Sequence, residues 1–279
     1  MFALLISVIV SAAAVIACIV SHADPGETIA AGIAGLLISH FGIGFIVRKK
    51  VTGVQNELQE MLANGQKQMN RKIQLFQSKP GGNIKQLQRQ MEGDQKAVVT
   101  QALAFTKRFE PFKKWTLLVG RQIATMRLQF LYQLKDFEAV DQILATGGLF
   151  TGPMMMEPMT VAMKMARQYE NGDLAGAEKT FKRRVKWFRG NRGTLLYGLM
   201  SWIYMQQGES EKARMLLVKA KETTADATLA HNWEMLSNCK DSAFSNAGLG
   251  EEWYGLYLET PPVPKQQRMH GNAHGGRRF

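Results

Sequence analysis

The sequence predicts an all-α protein in three parts: a hairpin of two transmembrane helices, a stalk of two amphipathic helices, and an α-solenoid of stacked helix pairs. Two observations lead to this prediction. Residues 2–47 contain no Lys or Arg and only two acidic residues, Asp24 and Glu27. From residue 51 onward, apolar residues return every three or four positions, which is the periodicity of amphipathic α-helices.

Two apolar segments, residues 2–21 and 28–47, each have about 20 residues, the length that a helix needs to cross a bilayer core of ~30 Å. The loop between them, residues 22–27, has no Lys or Arg, whereas Arg48-Lys49-Lys50 follows the second segment. Positive charge beside a span tends to stay in the cytoplasm. We therefore expect residues 1–50 to form a multi-pass anchor in a bacterial inner (plasma) membrane, with the rest of the chain in the cytoplasm.

A cleaved secretory signal is the alternative for the first segment. Ser21-His22-Ala23 has the small-x-small form of a cleavage site, so residues 1–23 would be removed. Against this, no Lys or Arg precedes the apolar run, and the run is longer than a usual signal core. The second segment would keep the bulk of the chain cytoplasmic in either case.

Charge and cysteine content limit the compartment and the classes of partner. All 35 Lys and Arg lie at or after Arg48, and the formal net charge is +12 at pH 7. Such a chain suits anionic headgroups, nucleic acid or acidic protein segments. The two cysteines, Cys18 and Cys239, provide no disulfide framework, which is typical of a reducing compartment.

Residues 51–115 are expected to form the stalk, a coiled-coil-like hairpin of amphipathic helices. A narrow apolar seam lies on each side of Lys79-Pro80-Gly81-Gly82, which is a strong helix breaker. Gly65 and Asp94 interrupt the seam where a coiled coil would have apolar residues. Pairing with a second copy of the chain is the alternative to folding back, so the stalk is also a candidate surface for homo-oligomers.

Three segments within residues 116–225 share one pattern: an aromatic residue, a tight turn, and a small or apolar residue five positions after the turn. The turn positions Lys135, Gly172 and Gly208 lie 37 and 36 residues apart. A period in the mid-thirties indicates one pair of stacked helices per repeat. The third segment shows the pattern most fully, with Tyr204, Gly208, Ala213, Leu217 and Ala220 in register.

These residues resemble the tetratricopeptide repeat (TPR) family, whose motif places an aromatic residue before a Gly-Asp turn and Ala residues after it. The departures are Lys135 and Val140 in the first repeat and Arg184 in the second, where the motif has Gly, Ala and Ala. The resemblance implies three TPR-like helix pairs over residues 116–225, whose first helices line a groove for a protein or peptide.

The groove positions that the resemblance implies are Gln122, Thr125, Gln129, Tyr132, Met159, Met163, Tyr169, Leu195, Trp202 and Met205. The alternative for Tyr132, Tyr169 and Trp202 is packing between neighbouring helices.

The last part of the chain departs from the period. Residues 226–258 look helical and are expected to form capping helices over the last repeat. Residues 259–279 are rich in Pro, Gln, Gly, His and Arg and are expected to form a disordered basic tail. Two spans separated by Asp24-Pro25-Gly26 and followed by helical repeats also resemble the layout of HemY-type bacterial inner-membrane proteins, although the stalk and the short array depart from that family.

A second candidate surface is a basic patch between Lys179 and Arg192, where cations alternate with aromatic residues. Its cations are Lys179, Lys182, Arg183, Arg184, Lys186, Arg189 and Arg192. Three interpretations stay open: a solvated helix face, a surface for anionic lipid or an acidic partner, and a nucleic-acid site. The membrane anchor makes nucleic acid the least expected of these partners.

The sequence offers no site for catalysis, for a cofactor or for a metal ion. It has no nucleophile motif, no phosphate-cradling glycine loop and no Cys/His cluster with metal-ligand spacing. We therefore expect a non-enzymatic scaffold or adaptor, anchored in the membrane, that binds a protein partner through its repeat groove. The alternative is a membrane-organising protein whose basic helical face binds anionic lipid or that self-assembles.

Overall fold

The computed structural model describes residues 2–77, 84–146 and 152–262, and the regular secondary structure of this part of the chain is all helical. The prediction of an all-α protein is confirmed. The helices are α1 Phe2–Val20, α2 Pro25–Gln77, α3 Ile84–Phe105, α4 Leu117–Gln133, α5 Phe137–Ala145, α6 Pro158–Glu170, α7 Leu174–Arg184, α8 Thr194–Gln206, α9 Ser210–Thr223, α10 Ala227–Ser237 and α11 Glu251–Tyr254. They belong to two units, residues 1–186 and residues 187–279.

The first two helices are long and apolar enough to cross a membrane, and most of their apolar side chains are exposed. Ile38 and Phe41, for example, are 74% and 71% exposed, whereas the core helix of a soluble protein buries such side chains. α1 packs back along the first half of α2, where Ser11 Oγ donates a hydrogen bond of 2.7 Å to the carbonyl of Gly32. A Cβ atom on Gly32 would lie 2.7 Å from a methyl carbon of Val15, so glycine permits this close approach.

The second apolar segment and the first arm of the stalk form one continuous helix. α2 has 53 residues, which corresponds to a length of about 80 Å at 1.5 Å per residue. The sequence predicts a domain boundary at residue 50, but the helix continues through this position. The weakest helix former nearby is Gly53, and a single Gly destabilises a helix by only about 1 kcal/mol, which is too little to end it. The direction of the stalk is therefore set by the apolar segment.

α3 runs antiparallel along α2, and both interruptions of the seam take part in this pairing. Gly65 lies against Val98, where a Cβ atom on Gly65 would come within 2.8 Å of a methyl carbon. Asp94 forms an ion pair with Lys72. The predicted breaker at residues 79–82 lies outside the described residues. The two arms thus contact each other within one chain.

We expect Gly65→Ala and Gly53→Ala to change stability in opposite directions. Ala at position 65 pushes a methyl group against the branched side chain of Val98, and such overpacking costs about 1–3 kcal/mol. The space around Gly53 is open within 4 Å, so Ala there stabilises α2 by about 0.5–1 kcal/mol through its helix propensity. Thermal unfolding of the full-length protein in detergent micelles, followed by circular dichroism, measures both changes. A rise in midpoint for both variants would contradict the close packing at Gly65.

The end of the apolar segment shares one hydrophobic core with α3, the following 3-10 helix and α4. After α3 the chain forms a 3-10 helix, Thr106–Lys114, which carries the buried side chain of Phe109. Val47 and Val51 of α2 are 6% and 7% exposed and belong to the same cluster as Phe109 and Ile123. Because Val47 is the last residue of the predicted span, the 3-10 helix and α4 pack directly onto the end of that span.

Candidate partner-binding surface

Three helix pairs, α4–α5, α6–α7 and α8–α9, occupy the region of the predicted repeats. Their turn positions Lys135, Gly172 and Gly208 all have left-handed backbone conformations, with φ of 59°, 77° and 73°. The N–H of the residue after each of them bonds to the carbonyl five positions back, at 3.0, 2.8 and 2.9 Å. Gly accepts this conformation without steric cost, whereas Lys135 adopts it despite its Cβ atom.

The positions five residues after the three turns are also equivalent in the structure. Val140, Ala177 and Ala213 are each 0% exposed. Side chains of this size let the two helices of a pair approach each other closely. The sequence period therefore corresponds to a repeated packing position.

A fourth turn of the same kind follows α10, although the sequence period does not reveal it. Cys239 has φ of 56°, and the N–H of Lys240 bonds to the carbonyl of Met235, five positions back. A short 3-10 helix, Asp241–Ala243, directly follows this turn. α10 thus ends like the first helix of a pair whose second helix is reduced to a single turn.

The ten predicted groove residues divide between the two units. Those of α4 and α6 belong to the first unit, and Leu195, Trp202 and Met205 of α8 belong to the second. Four side chains are less than 10% exposed, namely Tyr132, Met163, Leu195 and Trp202. The other six are partly exposed, namely Gln122, Thr125, Gln129, Met159, Tyr169 and Met205. The four buried side chains offer almost no surface to a partner.

The chain itself covers part of the α4 face. Thr125 Oγ1 accepts a hydrogen bond of 2.7 Å from the backbone N–H of Met154. Gln129 Nε2 donates a bond of 3.1 Å to Glu157 Oε2. The segment that precedes α6 therefore occupies two positions that the TPR resemblance assigns to a partner.

Two aromatic groove candidates pack inside the protein, as the alternative interpretation expects. Tyr132 lies edge-on to Phe137, with ring centroids 5.3 Å apart. Trp202 Nε1 donates to Glu259 Oε1 at 2.7 Å, and Trp253 Nε1 donates to Oε2 of the same carboxylate at 2.7 Å. Glu259 is thus not part of a disordered tail, because its two oxygens accept from two indole groups at once. Residues 263–279 of the predicted tail lie outside the described residues.

An ion pair between Arg167 and Asp141, to which the side-chain amide of Asn171 also bonds, joins the first two helix pairs. Arg167 of α6 donates to Asp141 of α5 through two hydrogen bonds of 2.9 and 2.7 Å. Asn171 donates a third bond of 3.1 Å to the same carboxylate, and the guanidinium group lies 4.7 Å from the centroid of the Phe137 ring. Hydrogen bonding from Arg167, reinforced by Asn171, holds the pKa of Asp141 below its ordinary value in spite of partial burial.

We expect Asp141→Asn to lower the free energy of unfolding by about 1–2 kcal/mol at pH 7, because Arg167 loses its charged acceptor. The folded-state pKa of Asp141 is lowered, so this stabilisation is complete above the ordinary carboxylate pKa of about 3.9 and is lost as the pH falls through the lowered value. Urea unfolding in micelles at pH 7 and at pH 3 measures the difference, which should shrink at the lower pH. Glu138→Gln, an exposed change on the same helix, is the control, and an equal loss in both variants would contradict the role of the pair.

The predicted basic patch separates into exposed cations and one enclosed cation. The exposed ones are Lys179, Lys182, Arg183, Lys186, Arg189 and Arg192. Lys182 pairs with Glu178 at 2.6 Å, which is the behaviour of a solvated helix face. Arg184 is half-buried, and burial followed by the charges of Arg183 and Arg121 lowers its pKa. Lys164 of α6, which sequence reasoning missed, lies beside this end of the patch, and burial followed by Arg183 and Arg184 lowers its pKa as well.

Within residues 2–77, 84–146 and 152–262, no three His, Cys, Asp or Glu side chains are grouped so that they could hold a metal ion. Comparisons with protein-family models, with curated proteins and with solved structures find no match for this chain. Its function is therefore inferred from the placement of its residues.

Proposed function

We propose that this protein is a membrane-anchored, non-enzymatic scaffold of the TPR type that holds a protein partner at the cytoplasmic face of the inner membrane. The observation that carries the proposal is the packing of α4, the first helix of the repeated pairs, against α2, the second of two exposed apolar helices. Exposed apolar surface on this scale is rare in soluble monomers, and helices of this length satisfy their backbone groups in lipid. The hydrogen bond from Ser11 to Gly32 favours retention of α1 over its removal as a signal.

The orientation follows from charge. The loop between α1 and α2 has no cation, and Arg48-Lys49-Lys50 marks the other end of the apolar part of α2. Cations beside a span stay preferentially in the cytoplasm. The stalk and the helix pairs then lie in the cytoplasm, where their repeats meet soluble or membrane-bound partners.

The groove side chains that keep exposed surface support a partner site on α4 and α6 of the first unit. Gln122, Met159 and Tyr169 are partly exposed, whereas Trp202 is enclosed by Glu259 and Trp253. Met adapts its shape to different apolar contacts, and Tyr supplies a rigid ring with a polar tip. A partner that contacts this face would therefore depend on Met159 and Tyr169.

Crosslinked pull-down from membranes tests the proposal. The Met159→Ala/Tyr169→Ala variant should lose a protein partner that the wild type retains. The matched control is Met215→Ala/Tyr257→Ala, because Met215 and Tyr257 are 53% and 39% exposed in the second unit. Equal partner yield from both variants would contradict a groove on α4 and α6, and recovery of further copies of this chain alone would favour the self-assembling alternative.

A further inference from the structure

The 3-10 helix after α3 returns to the end of the apolar segment. Arg108, in the first half of the 3-10 helix, pairs with Glu57 of α2. The ring of Trp115, directly after it, lies edge-on to Phe2 with centroids 6.1 Å apart. Because Phe2 begins α1, Trp115 lies at the height where α1 would leave the membrane.

α4 begins at this height and runs away from it. Arg127 Nε donates a hydrogen bond of 2.9 Å to Thr106 Oγ1, at the start of the 3-10 helix. Gly120 lies beside the side chain of Lys113, near its end. α4 is therefore antiparallel to the 3-10 helix, and its first turn faces the proposed membrane surface. Leu118 in that turn is 57% exposed.

Four cations from three helices form a series of neighbouring charges, in which Arg121 directly follows the first turn of α4. This membrane-side cluster consists of Arg121 of α4, Lys164 of α6, and Arg183 and Arg184 of α7. Lys164 and Arg184 are half-buried, and the Nε atom of Arg184 is buried without a hydrogen-bond acceptor. Neither of these two side chains hydrogen-bonds or ion-pairs with any described residue.

Within the described part of the chain, no hydrogen bond or ion pair balances the charges of Lys164 and Arg184. The carboxylate of Asp173 attracts Lys164, but its Oδ1 already accepts a bond of 2.9 Å from the N–H of Gly176 and its Oδ2 accepts one of 3.3 Å from Gln168 Nε2. Like charges that lie close together and are partly buried are unfavourable unless an anion binds to them. The membrane-side cluster is therefore suited to an external anion.

We propose that the membrane-side cluster binds the phosphate of an anionic phospholipid headgroup and so holds the first two helix pairs against the membrane. The inference rests on the proposed membrane anchor, which sets the height of the cluster. Trp115 and Leu118 favour lipid over a soluble phosphate, because an aromatic ring and an exposed apolar side chain beside cations are typical of surfaces at the headgroup level.

Lipid titration of the full-length protein in non-ionic detergent tests this site. Dihexanoylphosphatidylglycerol is the anionic probe and dihexanoylphosphatidylcholine the zwitterionic one. Each cation near an anionic lipid surface changes affinity about fivefold. Lys164→Gln/Arg183→Gln/Arg184→Gln is therefore expected to weaken binding of the anionic lipid by roughly 100-fold.

The matched control is Lys179→Gln/Lys182→Gln/Lys186→Gln, which removes the same charge from exposed positions of the same stretch and should weaken binding only several-fold. Lys164→Met keeps the packing of α6 and serves as a second variant, with an expected loss of about fivefold. Circular dichroism verifies that each variant is folded.

Equal affinity of the wild type for the two lipids, or equal losses in the two triple variants, would overturn the inference. Equally tight binding of sn-glycerol 3-phosphate would assign the cluster to a soluble phosphate ester and would overturn it as well. Extraction of membranes with alkaline carbonate separates these results from failure of the anchor. A chain that leaves the membrane contradicts the proposed function, whereas a chain that stays but shows no lipid preference contradicts only the headgroup site.

Discussion

Trp253→Ala is expected to lower the free energy of unfolding by about 3–5 kcal/mol. Trp253 is 0% exposed and lies edge-on to Trp202 of α8, with ring centroids 5.7 Å apart. Its removal leaves a cavity beside α8 and takes one of two indole donors from the Glu259 carboxylate. Thermal unfolding of the full-length protein in detergent micelles, followed by circular dichroism and tryptophan fluorescence, measures the loss.

Two companion variants separate packing from hydrogen bonding. Trp187 is 71% exposed, so Trp187→Ala should change the free energy of unfolding by no more than about 0.5 kcal/mol. Glu259→Gln keeps the shape of the side chain but replaces one acceptor oxygen by a donor, so its cost is about 1–2 kcal/mol. Similar small effects for Trp253→Ala and Trp187→Ala would contradict the packing of Trp253 against α8.

Leu58→Ala should destabilise the first unit by about 2–5 kcal/mol. Leu58 is 5% exposed and lies in the cluster that also contains Val99 and Phe109, where α2 meets α3 and the 3-10 helix. Leu75 lies on the same helix and is 58% exposed, so Leu75→Ala is the matched control and should change stability by no more than about 0.5 kcal/mol.

This comparison tests whether α3 and the 3-10 helix pack on the part of α2 that continues the apolar segment. Urea unfolding of both variants in micelles, at the same detergent concentration, measures the two free energies. If Leu58→Ala and Leu75→Ala behaved alike, α2 would extend beyond the apolar segment without other helices packed around it.

The repeated helix pairs were predictable because their turns require one backbone conformation. Gly172 and Gly208 mark left-handed residues directly, and equal spacing locates Lys135 although its side chain gives no such signal. The turn at Cys239 escaped prediction because it has neither a glycine nor the regular spacing. The continuity of α2 escaped as well, since the change from apolar to polar residues after Val47 resembles a boundary although the backbone continues as one helix.

The candidate surfaces were less predictable from sequence. Periodicity shows which face of a helix is apolar but not what covers that face, so Trp202 is assigned to a groove although Glu259, 57 residues later, encloses it. Lys164 carries no sequence signal because a single Lys in a Met-rich helix is ordinary. Its significance comes from the tertiary fold, which brings Arg183 and Arg184 to its side.

The proposed topology, with two spans and a cytoplasmic helical domain, can be measured by cysteine labelling in spheroplasts. Cys239 is exposed, so a Cys18→Ala variant carries one reporter in the helical domain. Ala23→Cys in a Cys18→Ala/Cys239→Ser background places a reporter in the loop between α1 and α2. We predict that a membrane-impermeant maleimide labels the Ala23→Cys variant in intact spheroplasts and labels Cys239 only after permeabilisation. Labelling of Cys239 in intact spheroplasts would contradict the anchored, cytoplasmic scaffold.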